Sequence, residues 1–303
     1  MTLRPIESIS QAVPTLEGAG VKLHRAFGFD QKNALDPFLL FDDFRNERPE
    51  DFLKGFPWHP HRGIETITYV LDGTVTHADS LGNQGALNAG DVQWMTAGSG
   101  IMHQEMPQGN AKGQMHGFQL WANLPSALKM TKPRYQDVSA ADIPVLVDDD
   151  GTSVKIIVGE FWGQRGPVDG IAAQPRYLDV FVPANKRRVL KVDTYRTTFA
   201  YLFQGKAHFK DSSAPQGVLL EKEVFGQELN IRDMSGNRNL IKFGTGDEII
   251  VQTQDEGVRF LLISGEPLEE PVAWHGPIVM NSQDELRQAV SELRNGTFIK
   301  PQH

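Results

Sequence analysis

One short pattern occurs twice in this chain, and it limits the possible folds more than any other feature. Thr68-Tyr-Val-Leu-Asp-Gly73-Thr-Val and Ala200-Tyr-Leu-Phe-Gln-Gly205-Lys-Ala each read as a strand, a glycine turn and a returning strand. Further along, Gly90-Asp91-Val92 resembles Gly246-Asp247-Glu248, each opening an apolar strand. A chain of 303 residues is long for a single core and suits two domains of roughly 150 residues each. Two copies of one β-fold are therefore expected.

Local patterns agree. Ile64 to Leu71 alternates, with Ile67, Tyr69 and Leu71 on one face and Thr66 and Thr68 on the other. Asp72-Gly73 and Gly82-Asn83 are turn signals, and Val92 to Met95 and Met115 to Leu124 give further strands. From Pro125 to Ile143 the pattern lapses; Ser126 to Met130 predicts a short helical turn that Pro133 ends. Strands resume from Ser153. The expected organisation is an all-β chain with a first domain over 1–132, a linker over 133–146 and a second domain over 147–303. Ser282-Gln-Asp-Glu285 is a capping box, followed by Leu286, Ala289, Val290 and Leu293 at helical spacing and by Gly296. One amphipathic helix within the second domain, packed onto a barrel, is the expectation there, with docking into a partner's groove as the alternative.

Composition removes several function classes. The chain has no cysteine, so disulfides, thiolate metal sites, iron–sulfur clusters and thiol nucleophiles are excluded. Any metal must be held by imidazole and carboxylate. The formal net charge is −8 with no long basic run, which disfavours direct nucleic-acid binding. Neither a signal peptide nor an 18-residue apolar run occurs, so no membrane association and a cytoplasmic location are expected.

The chemistry concentrates in two short pairs. His59-Pro60-His61 places two imidazoles on one face of an extended chain, and Pro60 suits an edge position because it lacks an N–H. His103-Gln104-Glu105 repeats the i, i+2 spacing. Neighbouring strands carrying these pairs would bring His59, His61, His103 and Glu105 to one point. Such a set suits one divalent ion: Fe(II) is the first expectation, and Ni(II), Cu(II), Mn(II) and Zn(II) are open to the same donors. Aligned on the repeat glycines, the second copy has Lys191 and Asp193 opposite His59 and His61, and falls near Arg259 and Leu261 opposite His103 and Glu105. Only the first copy can hold the ion.

Four segments carry a resemblance to a known family: Asp36 to Asp43 (DPFLLFDD), Pro57 to Thr66 (PWHPHRGIET), Met95 to Glu105 (MTAGSGIMHQE) and Gly117 to Pro125 (GFQLWANLP). Together with Gly276 to Asn281 (GPIVMN) they resemble the pirins, a branch of the cupin superfamily. Ile64 departs from the pattern, since pirins often carry Phe there. The resemblance implies two tandem cupin barrels, each a double-stranded β-helix, with metal ligands at His59, His61, His103 and Glu105. Glu65 stands where other cupins place their carboxylate ligand, and the pirin pattern leaves it outside the ligand set. The implied activity is that of a quercetin 2,3-dioxygenase, which opens a flavonol with O₂. Glu105 would accept the proton of the flavonol 3-hydroxyl. The alternative is a non-catalytic metal-binding regulator that acts through a protein partner, transcriptional or metabolic; another aromatic or enol-type substrate is a third reading.

Other residues divide between two roles. His116 could orient a ligand or stand as a structural histidine beside a turn. Phe56 and Trp58 could wall an aromatic pocket or pack in the core. Arg62 reads as a structural ion-pair residue. His24, His77, His208, His275 and His303 lack a partner at ligand spacing and read as structural or exposed.

Overall fold

Alternating β-branched and aromatic residues between glycine turns produce antiparallel strands along nearly the whole chain. The computed structural model describes residues 2–29, 34–169, 172–210, 221–224, 227–230 and 234–300; His303 lies outside them. The chain divides into two compact units. One is Met1–Gln11, Pro144–Gly166 and Pro175–Glu266; the other is Ala12–Ile143, Pro167–Gln174 and Pro267–His303.

The unit containing Ala12–Ile143, the first barrel, has a seven-stranded sheet in the order Arg134–Val138, Val92–Thr96, Ile64–Asp72, His116–Asn123, Phe38–Asp43, Val21–Phe27, Val13–Glu17. A four-stranded sheet, Phe56–His61, Ile101–Gln108, Thr74–Asp79 and Gln84–Leu87, completes it. Val21, Leu23 and Val70 from the larger sheet share a core cluster with Val75 and Leu87 from the smaller. The Ile64–Asp72 strand alternates as expected, but Thr66 and Thr68 are as buried as Ile67 and Tyr69. Its polar face is an interior face.

In the second barrel the corresponding seven strands are Ile6–Gln11, Asn239–Phe243, Thr197–Gly205, Val258–Gly265, Arg176–Val182, Ser153–Val158 and Val145–Val147. Arg187–Lys191, Glu248–Gln252 and His208–Phe209 form its smaller sheet. The repeat is therefore a repeat of topology. Gly73 and Gly205 close the equivalent turns, with φ of 81° and 68°, values that favour glycine.

Strand order corrects one detail of the repeat. The counterpart of Ile101–Gln108 is Glu248–Gln252, which pairs with Arg187–Lys191 as Ile101–Gln108 pairs with Phe56–His61. Arg259 and Leu261 instead lie on the counterpart of His116–Asn123. Glycine-led matching failed here because Gly90 opens a strand of the large sheet and Gly246 one of the small sheet. The conclusion holds, since the strands that replace the ligand pairs carry no histidine.

Both termini depart from the expected boundaries. Residues 6–11 join the second barrel, where buried Arg4 donates to the carbonyls of Gly244 and Gly246 at 2.8 and 2.7 Å. Residues 267–303 join the first barrel, carrying the helix with them. That helix, Gln283–Arg294, has the capping box expected between Ser282 and Glu285 and buries Leu286 and Ala289. Arg62 fixes it: Nη1 donates to Glu292 at 2.7 Å and Nη2 to the Phe298 carbonyl at 2.8 Å, with the guanidinium over the Phe298 ring. These partners lie more than 200 residues apart, beyond the reach of local pattern. The linker is also not strand-free, because Arg134–Val138 pairs with Val92–Thr96 in the first barrel.

Candidate metal centre

Phe56–His61 is the edge strand of the small sheet, where a proline at position 60 sacrifices no ladder hydrogen bond. It pairs with Ile101–Gln108 so that His59 lies opposite His103 and Ile101 opposite His61. The register then shifts between His103 and Glu105, which places Glu105 opposite Phe56. His59, His61 and His103 converge. Their ring centroids are 4.4–4.9 Å apart, and one nitrogen from each lies within 4.8 Å of the others.

Hydrogen bonding fits these rings to a cation. His59 Nδ1 is 2.8 Å from the Pro57 carbonyl; a proton there leaves Nε2 as an acceptor facing the cluster. His59 Nε2 and His61 Nε2 face each other at 3.1 Å. Neither ring nitrogen of buried His103 has a hydrogen-bond partner among the described residues. Unpartnered nitrogens in a buried site are expected where a ligand completes the geometry. Burial pushes His61 well below the usual imidazole range, with His103 and His59 adding to the effect and the Pro277 carbonyl opposing it. Burial does the same to His103, reinforced by His59 and His77. Neutral imidazole is the form that binds a metal. Three neutral donors at one point fit a divalent transition ion.

Glu105 stands outside the group of three. Its buried carboxylate faces Thr68 Oγ1 at 3.0 Å and Gln119 Nε2 at 3.4 Å, and it lines the same cavity as His59 and His61. Glu65 is held elsewhere: Thr96 Oγ1 donates to it at 2.7 Å. Burial raises Glu65 to about 7, against the opposing pull of Thr96.

His59 and His61 open onto a cavity of about 470 Å³, within the range of roughly 300–1,000 Å³ usual for small-molecule sites. Phe29, Phe44, Phe56 and Trp121 supply aromatic wall. Thus Phe56 takes the pocket role, whereas Trp58 is half exposed and does not line it. Trp121 packs edge-on against His61 at 5.1 Å, and its buried indole N–H has no partner among the described residues. His116 lies against Asp43 and Phe118, away from the cavity, a structural histidine. His77 is also structural, stacked on Tyr135 and facing Gln93. His275 is exposed, while His24 and His208 lie on strands away from the imidazole cluster. Arg62 is the ion-pair residue expected.

Sequence reasoning passed over Thr68, Asp42, Arg25 and Pro277, all of which reach the cavity wall. The one available signal was the threonine face of Ile64–Asp72, which reads as a solvent face until the barrel closes over it.

Comparison with known proteins now bears on this geometry. The profile described as Pirin matches residues 20–122, and that described as Pirin C-terminal cupin domain matches residues 177–299. The chain belongs to the pirin family. It is 39% identical over 301 residues to a pirin-like protein of Caulobacter vibrioides, covering 98% of this chain and 100% of that one. It is 38% identical to human Pirin, covering 92% of this chain and 88% of that one. Among solved structures, a quercetin 2,3-dioxygenase from Acinetobacter baumannii superposes with a TM-score of 0.83 at 29% identity, covering 98% of this pirin and 99% of that chain. Both barrels of this pirin thus follow the bicupin plan, with its histidine cluster in the first. No helix among the described residues is long and apolar enough to cross a membrane.

Proposed function

We propose that this pirin is a metal-dependent dioxygenase that opens a flavonol such as quercetin with O₂, releasing CO. The observation that carries this reading is the meeting of three imidazoles, His103 with both ring nitrogens unpartnered among the described residues, beside an aromatic-lined cavity that His59 and His61 line. The similarity to a quercetin 2,3-dioxygenase of Acinetobacter baumannii supports the substrate class.

His59, His61 and His103 would hold the ion, with Glu105 as the carboxylate of the set; Fe(II) is the ion proposed. When bound, the ion supplies Lewis acidity toward the flavonol 3-hydroxyl and a redox partner for O₂. The protein's own part is binding, orientation and proton transfer. Phe29, Phe44 and Trp121 receive the flat ring system and keep water away from it. Glu105 accepts the 3-hydroxyl proton, and Thr68 and Gln119 hold its carboxylate in place for that transfer. The resulting flavonolate is the electron-rich form that reacts with O₂.

The test uses the whole chain. Metal is removed, Fe, Ni, Cu or Mn is restored singly, bound metal is quantified by mass spectrometry, and oxygen uptake is followed with flavonol absorbance. Oxygen uptake coupled to loss of flavonol absorbance is expected with at least one metal. Stoichiometric metal without turnover under any loading would refute the dioxygenase reading.

A further inference from the structure

A line of polar side chains crosses the first barrel where a barrel interior is ordinarily apolar. Read across six adjacent strands, the register partners are Asp137, Gln93, Thr68, Gln119, Asp42 and Arg25. Register partners share one face of a sheet. Gln93, Thr68 and Asp42 are buried. Contacts run along much of the line: Gln93 Nε2 donates to Asp137 at 2.9 Å, and Thr68 Oγ1 lies 2.6 Å from Gln119 Oε1. Arg25 donates to both Asp42 oxygens at 2.8 Å and also pairs with Glu17 at 2.8 Å.

The second barrel provides an internal control. Thr68 is equivalent to Ala200 by the repeat, and the partners of Ala200 along the same line are Ile241, Leu262, Leu178 and Ile156. All five are buried in one apolar core. The frame therefore closes without polar groups at these positions. Even paired, such buried groups are seldom more stabilising than apolar side chains of similar volume, so fold stability does not account for them.

Four of the six residues, Thr68, Gln119, Asp42 and Arg25, line the cavity. Thr68 also contacts Glu105, so the line starts at the proposed metal end. Three strand spacings of ~4.8 Å carry it roughly 14 Å away, to Arg25. Apolar and aromatic residues, Leu40, Phe29 and Trp121 among them, border it. This is one polar track bordered by apolar and aromatic side chains.

We infer that Gln119, Asp42 and Arg25 form a specificity-determining wall that reads hydroxyl groups on the part of the substrate remote from the metal. The ligand class is then a flat aromatic bearing hydroxyls at both ends. Each Asp42 oxygen that accepts from Arg25 keeps a lone pair for a phenolic O–H, and Arg25 fixes the direction of that lone pair. Gln119, whose amide already faces Glu105 and Thr68, keeps one N–H and one lone pair midway. The inference rests on the flavonol reading for its probes but concerns binding, and binding can be measured apart from turnover.

The experiment is calorimetric titration of the full chain, with and without restored metal, using a flavonol with a dihydroxyphenyl ring and one with an unsubstituted phenyl ring. The wild type is expected to favour the first by about 10- to 100-fold in Kd, the range for a hydrogen bond to a charged group. Asp42→Asn and Gln119→Leu, each checked for a native thermal transition, should bring that ratio toward one. Equal affinity of the wild type for both flavonols, or no affinity for either, would overturn the inference without reference to any variant. So would folded variants that keep the full ratio. Oxygen uptake separates the two proposals. Turnover of both flavonols with equal affinity leaves the dioxygenase reading standing alone, whereas selective binding without oxygen uptake under any metal leaves only the polar wall.

Discussion

Replacing Glu65 by glutamine tests which glutamate belongs to the metal. Glu65 is buried on the Ile64–Asp72 strand and accepts from Thr96 Oγ1, with the Trp94 indole N–H also acting on its carboxylate. Burial raises its carboxyl from 4.5 to about 7. The folded chain therefore holds this proton more tightly than the unfolded chain, and the associated stability is fully present below pH 4.5 and lost as pH rises through 7. A shift of this size corresponds to ~3 kcal/mol between the two extremes. Glutamine keeps an oxygen for Thr96 and has no charge to bury. Glu65→Gln is thus expected to match the wild type near pH 4.5 and exceed it at pH 8 by up to ~3 kcal/mol. That corresponds to roughly 6–12 °C in Tm for a unit of this size. Thermal denaturation across the pH range, with metal content quantified on the same samples, measures both effects. Retained metal with a flattened pH dependence is the expected result, in contrast to metal loss in Glu105→Gln. If Glu65→Gln loses its metal while Glu105→Gln keeps it, the assignment of the carboxylate is refuted.

His103→Ala removes the ring whose two nitrogens are both unpartnered among the described residues, and metal affinity should fall by at least about 100-fold, as read by mass spectrometry after dialysis. Gly63→Ala should destabilise by about 2–4 kcal/mol in thermal unfolding. Its φ is +76° and the added Cβ would lie 1.9 Å from the Val279 carbonyl oxygen. Arg62→Met leaves the Phe298 carbonyl without this partner and Glu292 with Lys300 and Gln288 alone among the described residues, at a destabilisation of roughly 1–3 kcal/mol; hydrogen exchange should rise first along Gln283–Arg294.

Much of the fold and most of the centre could be read from the sequence, because both rest on short-range geometry. Two-residue spacing placed His59 and His61 on one face, and the edge position of Pro60 followed from its missing N–H. The capping box at Ser282 is equally local. What escaped depends on distant pairings. Nothing near Arg62 announces Glu292, and nothing in residues 6–11 announces Asn239–Phe243 as their partner. Glu105 illustrates the intermediate case: its spacing from His103 is local, but the register shift that turns it toward Thr68 and Gln119 belongs to the pairing with Phe56–His61.

The difference between the two barrels then has a physical order. Both share strand sequence and register closely enough that Thr68 and Ala200 occupy one place in one frame. In the second barrel that place is alanine and its neighbours along the line are isoleucine and leucine, and the strands that replace the ligand pairs carry no histidine. In the first, imidazoles gather at one end of a polar line and an Arg25–Asp42 pair stands along it. A closed apolar core has no use for buried amides and carboxylates, whose desolvation is unfavourable. A cavity that admits a hydroxylated guest does, since the guest completes their hydrogen bonds. Among the described residues the imidazole cluster and the polar line therefore occur together in one barrel and are absent together from the other, as expected if both serve the same ligand.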